Sequence, residues 1–116
     1  MDKDRQRELR QNYKETKLDA GVYQMRNRAS GRVFVGSAFN VNGKLNGIRF
    51  ELDLGSYRNS ALQKDWKELG GDGFEFGILE LLDQDKIEKI LQKDELAKLE
   101  KKWLEKLRQS GADLYN

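Results

Sequence analysis

Gly21-Val22-Tyr23-Gln24-Met25-Arg26, Asn27-Arg28-Ala29-Ser30-Gly31 and Arg32-Val33-Phe34-Val35-Gly36-Ser37-Ala38 form the stretch that decides the fold. Two β-prone runs flank about five turn-forming residues, which predicts a β-hairpin from Ala20 to Ala38. Side chains alternate across a strand, so Tyr23 points away from the face of Val22 and Gln24. Phe34 lies near Tyr23 across the pair, and Gly21 and Gly36 leave room for a close backbone or ligand approach.

Beyond the hairpin, Phe39–Gly43 reads as a loop. The spacing of Leu45, Ile48 and Leu52 predicts a helix to about Leu54, ended by Gly55. A second helix starts near Asn59-Ser60, either of which can cap it, with Leu62, Trp66 and Leu69 along one side before Gly70-Gly71. Residues 74–81 alternate, with Phe74, Phe76 and Ile78 on one face, and read as a third strand. Asp83–Lys93 reads as a helix with Ile87, Ile90 and Leu91 on one side. A last helix is capped by Asp94 and runs to about Gln109, where Ser110-Gly111 stops it. Residues 2–15 carry only Leu9 and Tyr13 as apolar anchors, so residues 1–18 form a charged helix or arm ahead of one domain at 19–116. The expected architecture is an α+β domain with a small three-stranded antiparallel sheet flanked by helices.

Composition narrows the chemistry. The 116 residues include no Cys and no His, which removes thiolate nucleophiles, cysteine- or histidine-bound zinc and an imidazole base. Catalysis would fall to Tyr, Lys, Asp, Glu, Ser or Thr, and a bound metal would take oxygen ligands, which suits Mg²⁺ or Mn²⁺. No apolar run approaches the roughly 20 residues needed to span a bilayer, and the N-terminus lacks a signal-peptide pattern. A soluble, cytoplasmic protein with no membrane partner is expected.

The formal net charge is +2, but Ala20–Phe50 holds Arg26, Arg28, Arg32, Lys44 and Arg49 and no acidic residue. Such a local positive field favours a phosphate-bearing ligand, and these five side chains are the candidate nucleic-acid contacts. Arginines that merely solvate a turn and its strands are the alternative.

Four positions stand out as candidates for chemistry, Glu100, Tyr23, Lys44 and Arg49. Leu96, Leu99, Trp103, Leu104 and Leu107 define the buried stripe of the last helix, and Glu100 falls inside it. A carboxylate there opens into a cleft or is desolvated, and it needs a cation or hydrogen-bond partner, which a metal ion could be. The plainer alternative is an edge position paired with a lysine. Tyr23 is a site candidate or a core aromatic with its hydroxyl satisfied. Lys44 and Arg49 are phosphate-clamp candidates or solvated charges.

The order of these pieces resembles the GIY-YIG nuclease family. Gly21-Val22-Tyr23, a ten-residue gap and Phe34-Val35-Gly36-Ser37 are similar to its paired motif. Asn40-Val41-Asn42-Gly43-Lys44-Leu45-Asn46-Gly47-Ile48-Arg49-Phe50 is similar to its motif helix. Asn59–Trp66 and Phe74–Glu80 resemble stretches of small bacterial members, and Glu100–Leu104 and Tyr115-Asn116 its metal-binding glutamate and late asparagine. The resemblance covers about residues 19–116 and implies cleavage of DNA phosphodiester bonds. It implies Tyr23 as the tyrosine that deprotonates or orients water, and Glu100 as the ligand of a single Mg²⁺ or Mn²⁺. It further implies Lys44 or Arg49 as the cation on the scissile phosphate, and Asn116 as a supporting hydrogen bonder.

Three positions depart from the family pattern. Phe34 stands where the second motif has tyrosine, Lys44 where the helix has arginine, and Ile48 where histidine or tyrosine is usual. A weakened metal-dependent endonuclease is therefore the first expectation. A nucleic-acid-binding module without cleavage is the second, and a protein-interaction module using the acidic C-terminal half the third. DNA is the expected partner, with a homodimer or a partner protein as sources of specificity.

Overall fold

The structure is a computed structural model that describes residues 19–116. The helix or arm expected over residues 1–18 lies outside the described residues.

Three strands, β1 (Gly21–Asn27), β2 (Val33–Ala38) and β3 (Phe74–Leu81), form one antiparallel sheet in the order β2-β1-β3. The hairpin turn is organised by Asn27. Its Oδ1 accepts from Ala29 N at 2.9 Å and Ser30 N at 3.1 Å, and Gly31 takes the left-handed φ of 78° that lets the chain return. In the β1–β2 register Tyr23 faces Gly36 and Met25 faces Phe34. The β1–β3 ladder shifts between Val22 and Tyr23, so a bulge sits beside the tyrosine.

The alternation of β1 feeds two cores. Tyr23 and Met25 join Val41, Ile48 and Leu52 of helix α1 (Val41–Leu54) and Leu62 and Trp66 of helix α2 (Ser60–Leu69). On the other face Val22, Val33 and Val35 meet Leu99, Trp103, Leu104 and Leu107 of helix α3 (Gln92–Gln109). The domain is thus a helical layer, a sheet and a second helical layer, the arrangement that buries both faces of a small sheet.

Both edges of β2 are paired. Beyond α3 the chain runs parallel to the outer edge: Val33 N donates to Asp113 O at 2.9 Å and Tyr115 N donates to Val33 O at 2.8 Å. The tail is fastened from the far side too. The Tyr115 hydroxyl lies 2.5 Å from Asp65 Oδ2 and accepts from Asn27 Nδ2 at 3.1 Å, while Asn59 Nδ2 donates to Tyr115 O at 3.3 Å.

Two expectations differ from what forms. Helix α1 begins at Val41, because Asn40 caps it by accepting from Gly43 N at 3.0 Å. The loop expected over Phe39–Gly43 therefore ends at Asn40, and Val41–Gly43 are helical. The helix expected over Asp83–Lys93 is a turn followed by a 3-10 segment, Lys89–Leu91. Among the described residues Ile90 is 83% and Leu91 48% exposed, so most of the apolar side is left uncovered, and an isolated helix this short is marginal in water. Gln92 Nε2 donates instead to Gln84 O at 3.3 Å and Ile87 O at 3.1 Å. Helix α3 then starts at Gln92, with Asp94 in its first turn rather than at the cap.

Candidate active site

Tyr23, at the centre of the middle strand, is 2% exposed. A side chain on Gly36, its cross-strand neighbour, would collide with the Tyr23 hydroxyl. The missing side chain of Gly36 therefore leaves the space in which that hydroxyl sits. Burial raises the Tyr23 hydroxyl well above its ordinary pKa, and the nearby Tyr57 and Glu100 raise it further, against a lowering by Arg58. At neutral pH Tyr23 is an un-ionised phenol, able both to donate and to accept a hydrogen bond.

Around it opens a cleft of about 610 Å³, whose wall includes Tyr23, Phe34, Ser37, Lys44, Glu100 and Asn116. Glu100 comes from α3, on the same stripe as Leu96 and Leu104, and is half-buried. Among the described residues its hydrogen-bond partner is a serine rather than a lysine or an arginine: Ser37 Oγ donates to Glu100 Oε1 at 2.6 Å. A hydrogen bond to a charged group contributes about 1.5–3 kcal/mol, enough to fix one carboxylate oxygen. That explains how a carboxylate survives in an apolar stripe.

Asn116 does not turn its amide into the cleft. Its Oδ1 accepts from Val35 N at 2.9 Å and its Nδ2 donates to Val35 O at 2.7 Å. The side chain mimics a peptide group and extends the tail's pairing two residues further along β2, to Val35 beside Gly36. Lys44 projects from the first turn of α1 and is exposed at the rim.

Arg49 lies elsewhere. Five residues on from Lys44, it is turned about 140° round the helix at 100° per residue. Its guanidinium stacks 4.3 Å from the centre of the Phe76 ring and lines a separate groove with Gln24, Arg28 and Gly77. The idea that Arg49 joins Tyr23 and Glu100 is corrected by this geometry. Ile48, between them, is 2% exposed and belongs to the core.

Nor do the arginines of the hairpin form one basic patch. Arg26 pairs with Glu75 at 3.2 Å. Arg32 lies 4.5 Å over the Tyr115 ring and 3.7 Å from Asp113, so it fastens the tail. Arg28 shares the groove of Arg49. Of the basic residues between Ala20 and Phe50, Lys44 is the one in the Tyr23 cleft.

Sequence reasoning missed the other wall. Tyr57, Arg58 and Asn59, from the loop between α1 and α2, complete the cleft. Tyr57 sets its ring edge-on to Phe34, with centroids 6.1 Å apart. An aromatic-basic pair between a helix-stopping Gly55 and a capping Asn59 was the available signal, but nothing in the spacing says which way such a loop faces.

Among the described residues no cluster of three or more Asp or Glu side chains forms a protein-made metal cage. The donor set fits a different kind of site. One carboxylate held by a serine suits a hard divalent ion that keeps most of its ligands as water and phosphate oxygens.

An α+β domain with a tyrosine and a glutamate facing one cleft is the class that fold and site define. One particular likeness is to an intron endonuclease. A point mutant of the catalytic domain of intron endonuclease I-TevI matches with a TM-score of 0.68 and 24% identity, over 83% of this chain and 91% of that one. A structure of the catalytic domain of homing endonuclease I-TevI matches with a TM-score of 0.65 and 26% identity, over 81% and 94%. No family model and no curated protein matches the chain. These likenesses show that the chain shares its fold with a homing-endonuclease catalytic domain. Among the described residues no helix is long and apolar enough to cross a membrane.

Proposed function

We propose that this protein is a metal-dependent endonuclease of the GIY-YIG type that hydrolyses DNA phosphodiester bonds. The observation that carries the reading is that Tyr23 and Glu100, from opposite ends of the chain, line one cleft with Lys44 between solvent and site. Hydrolysis adds water across a P–O bond and leaves a phosphate monoester and a free hydroxyl. Tyr23, held neutral by burial, orients the attacking water through its hydroxyl rather than removing a proton as a preformed phenolate. Glu100 would hold a single Mg²⁺ or Mn²⁺, which when bound supplies Lewis-acid stabilisation of the leaving oxygen. Ser37 fixes the glutamate, Asn116 braces β2 beneath Gly36, and Lys44 offers positive charge to the phosphate.

Incubation of supercoiled plasmid with the protein and each metal tests this, beside Glu100→Ala and a chelator control. Nicking that needs the metal and disappears in Glu100→Ala is expected. Equal nicking by the variant would mean contamination and would remove the enzyme reading.

A second reading has an observation of its own. Phe34 brings a ring without a hydroxyl to the cleft, and Ile48 is withdrawn into the core. A protein that retards DNA on a gel without cutting it in either metal would be a binding module on the same fold.

A further inference from the structure

The motif helix lacks its arginine, and Arg49 faces another groove, yet the Tyr23 cleft does contain a guanidinium. It belongs to Arg58. The loop that carries it is fixed along its length. Gly55 takes a φ of 78° and closes α1 with Ser56 N donating to Glu51 O at 3.0 Å. Tyr57 N donates to Gln63 Oε1 at 2.9 Å, and Gln63 Nε2 returns to Leu52 O at 3.0 Å. Asn59 accepts from Leu62 N at 3.1 Å and ties the loop to the tail through Tyr115 O at 3.3 Å. Arg58 stands between two anchored residues, with its own side chain exposed.

Among the described residues Arg58 has no ion pair, whereas Arg26 and Arg32 are both matched by carboxylates. It also acts on the chemistry already described, since it is the cation that opposes the upward shift of the Tyr23 hydroxyl. A guanidinium that lines one cleft with an un-ionised tyrosine and a carboxylate, and that has no counter-ion among the described residues, is set for an anion of tetrahedral oxygens.

We infer that Arg58 is the phosphate-contacting arginine of this cleft, gripping the non-bridging oxygens of a DNA phosphodiester in the role the motif helix leaves to Lys44. The inference rests on the nuclease reading for its ligand, and Arg58 does its work from a loop rather than from α1. Transition-state charge on the phosphoryl oxygens would be met by the guanidinium, while Lys44 at the rim contributes a less directional charge.

The test uses the whole protein, Arg58→Ala, Arg58→Lys and Lys44→Ala, each checked for an unchanged thermal transition. The first readout is single-turnover cleavage of a duplex in Mn²⁺. The second is binding of a 12-base-pair duplex in chelator, followed by fluorescence anisotropy across salt. Arg58→Ala is expected to slow cleavage about 10²- to 10³-fold, the usual loss for one transition-state donor. Arg58→Lys should recover only part of that loss, because an ammonium cannot bond bidentately. Arg58→Ala should also lower the salt slope of binding by about one phosphate contact. Unchanged cleavage and unchanged binding in Arg58→Ala would overturn the inference and leave the nuclease reading standing. A wild-type protein that binds without cutting, with binding weakened and the slope lowered in Arg58→Ala, would reverse that: the clamp would stand and the nuclease reading would fall. No binding by the wild type even at low salt would overturn both.

Discussion

A methyl group at Gly36 would need the space in which the Tyr23 hydroxyl lies. The two motif halves of the hairpin are therefore one physical feature, a phenol and the gap made for it. Gly36→Ala should displace Tyr23 and cost about 1–3 kcal/mol of stability, as over-packing of a filled interior does. Urea unfolding measures the cost, and an unchanged midpoint with unchanged nicking would detach Gly36 from the site. Ser37→Ala removes the hydrogen bond that holds Glu100 while leaving the carboxylate in place. Loss of a group that orients a metal ligand commonly weakens metal affinity or activity by about 10- to 100-fold. The concentration of Mn²⁺ giving half-maximal nicking should rise accordingly, with the maximal rate largely recovered at saturating metal. A variant with the wild-type Mn²⁺ requirement would show that Ser37 only solvates the carboxylate.

At the scale of elements, what could be read in advance was what repeats with a period. The alternation from Gly21 to Ala38 marks the hairpin, and the leucine stripe of α3 picks out Glu100 as a carboxylate within an apolar face. What was hidden depends on how elements lie against one another. Which face of α1 is buried decides that Lys44 reaches the cleft and Arg49 does not, and six apolar residues in fourteen, with Phe50 and Leu54 exposed away from the buried side, leave that choice open. The loop with Tyr57 and Arg58 has no periodicity to read, and the parallel pairing of Leu114 with Val33 joins segments far apart in the chain. The apolar spacing of Ile87, Ile90 and Leu91 misled for the converse reason, because a helical period makes a helix only where a surface receives it.

The tail offers a test at this scale. Burial, and then the hydrogen bond to Asp65, push the Tyr115 hydroxyl up to about 12, against a partial lowering by Asn27. A hydroxyl whose pKa is raised on folding contributes stability that is complete below its unfolded pKa and is lost as pH rises through the folded one. Stability from Tyr115 should thus hold below pH 10, the ordinary tyrosine value, and fall toward about 12. Thermal unfolding across that range should show a shallower decline in Tyr115→Phe than in the wild type. Parallel declines would mean that the Tyr115–Asp65 contact is not what secures the tail.

For the molecule as a whole, the distribution of charge matters more than its sum of +2. Lys44 and Arg58 share the Tyr23 cleft, while Arg28 and Arg49 share the groove beside β3. DNA held only in the cleft should give a salt slope near −2, since each phosphate contact in a duplex contributes about −0.9. A slope near −4, reduced by Arg28→Ala or Arg49→Ala, would extend the DNA path across the sheet edge to the second groove. Few contacts of either kind mean weak binding at physiological salt, so cleavage assays belong at low ionic strength.

The central claim is that Tyr23 and Glu100 serve one reaction in one cleft, and a mutant cycle measures it directly. Single-turnover cleavage rates in saturating Mn²⁺ are compared for the wild type, Tyr23→Phe, Glu100→Gln and the double variant. Groups that act as a unit are strongly non-additive. Each single change should reduce the rate by at least about 10²-fold, and the double variant should be little slower than the slower single one. Losses that multiply, or a single variant that cuts at the wild-type rate, would contradict the account.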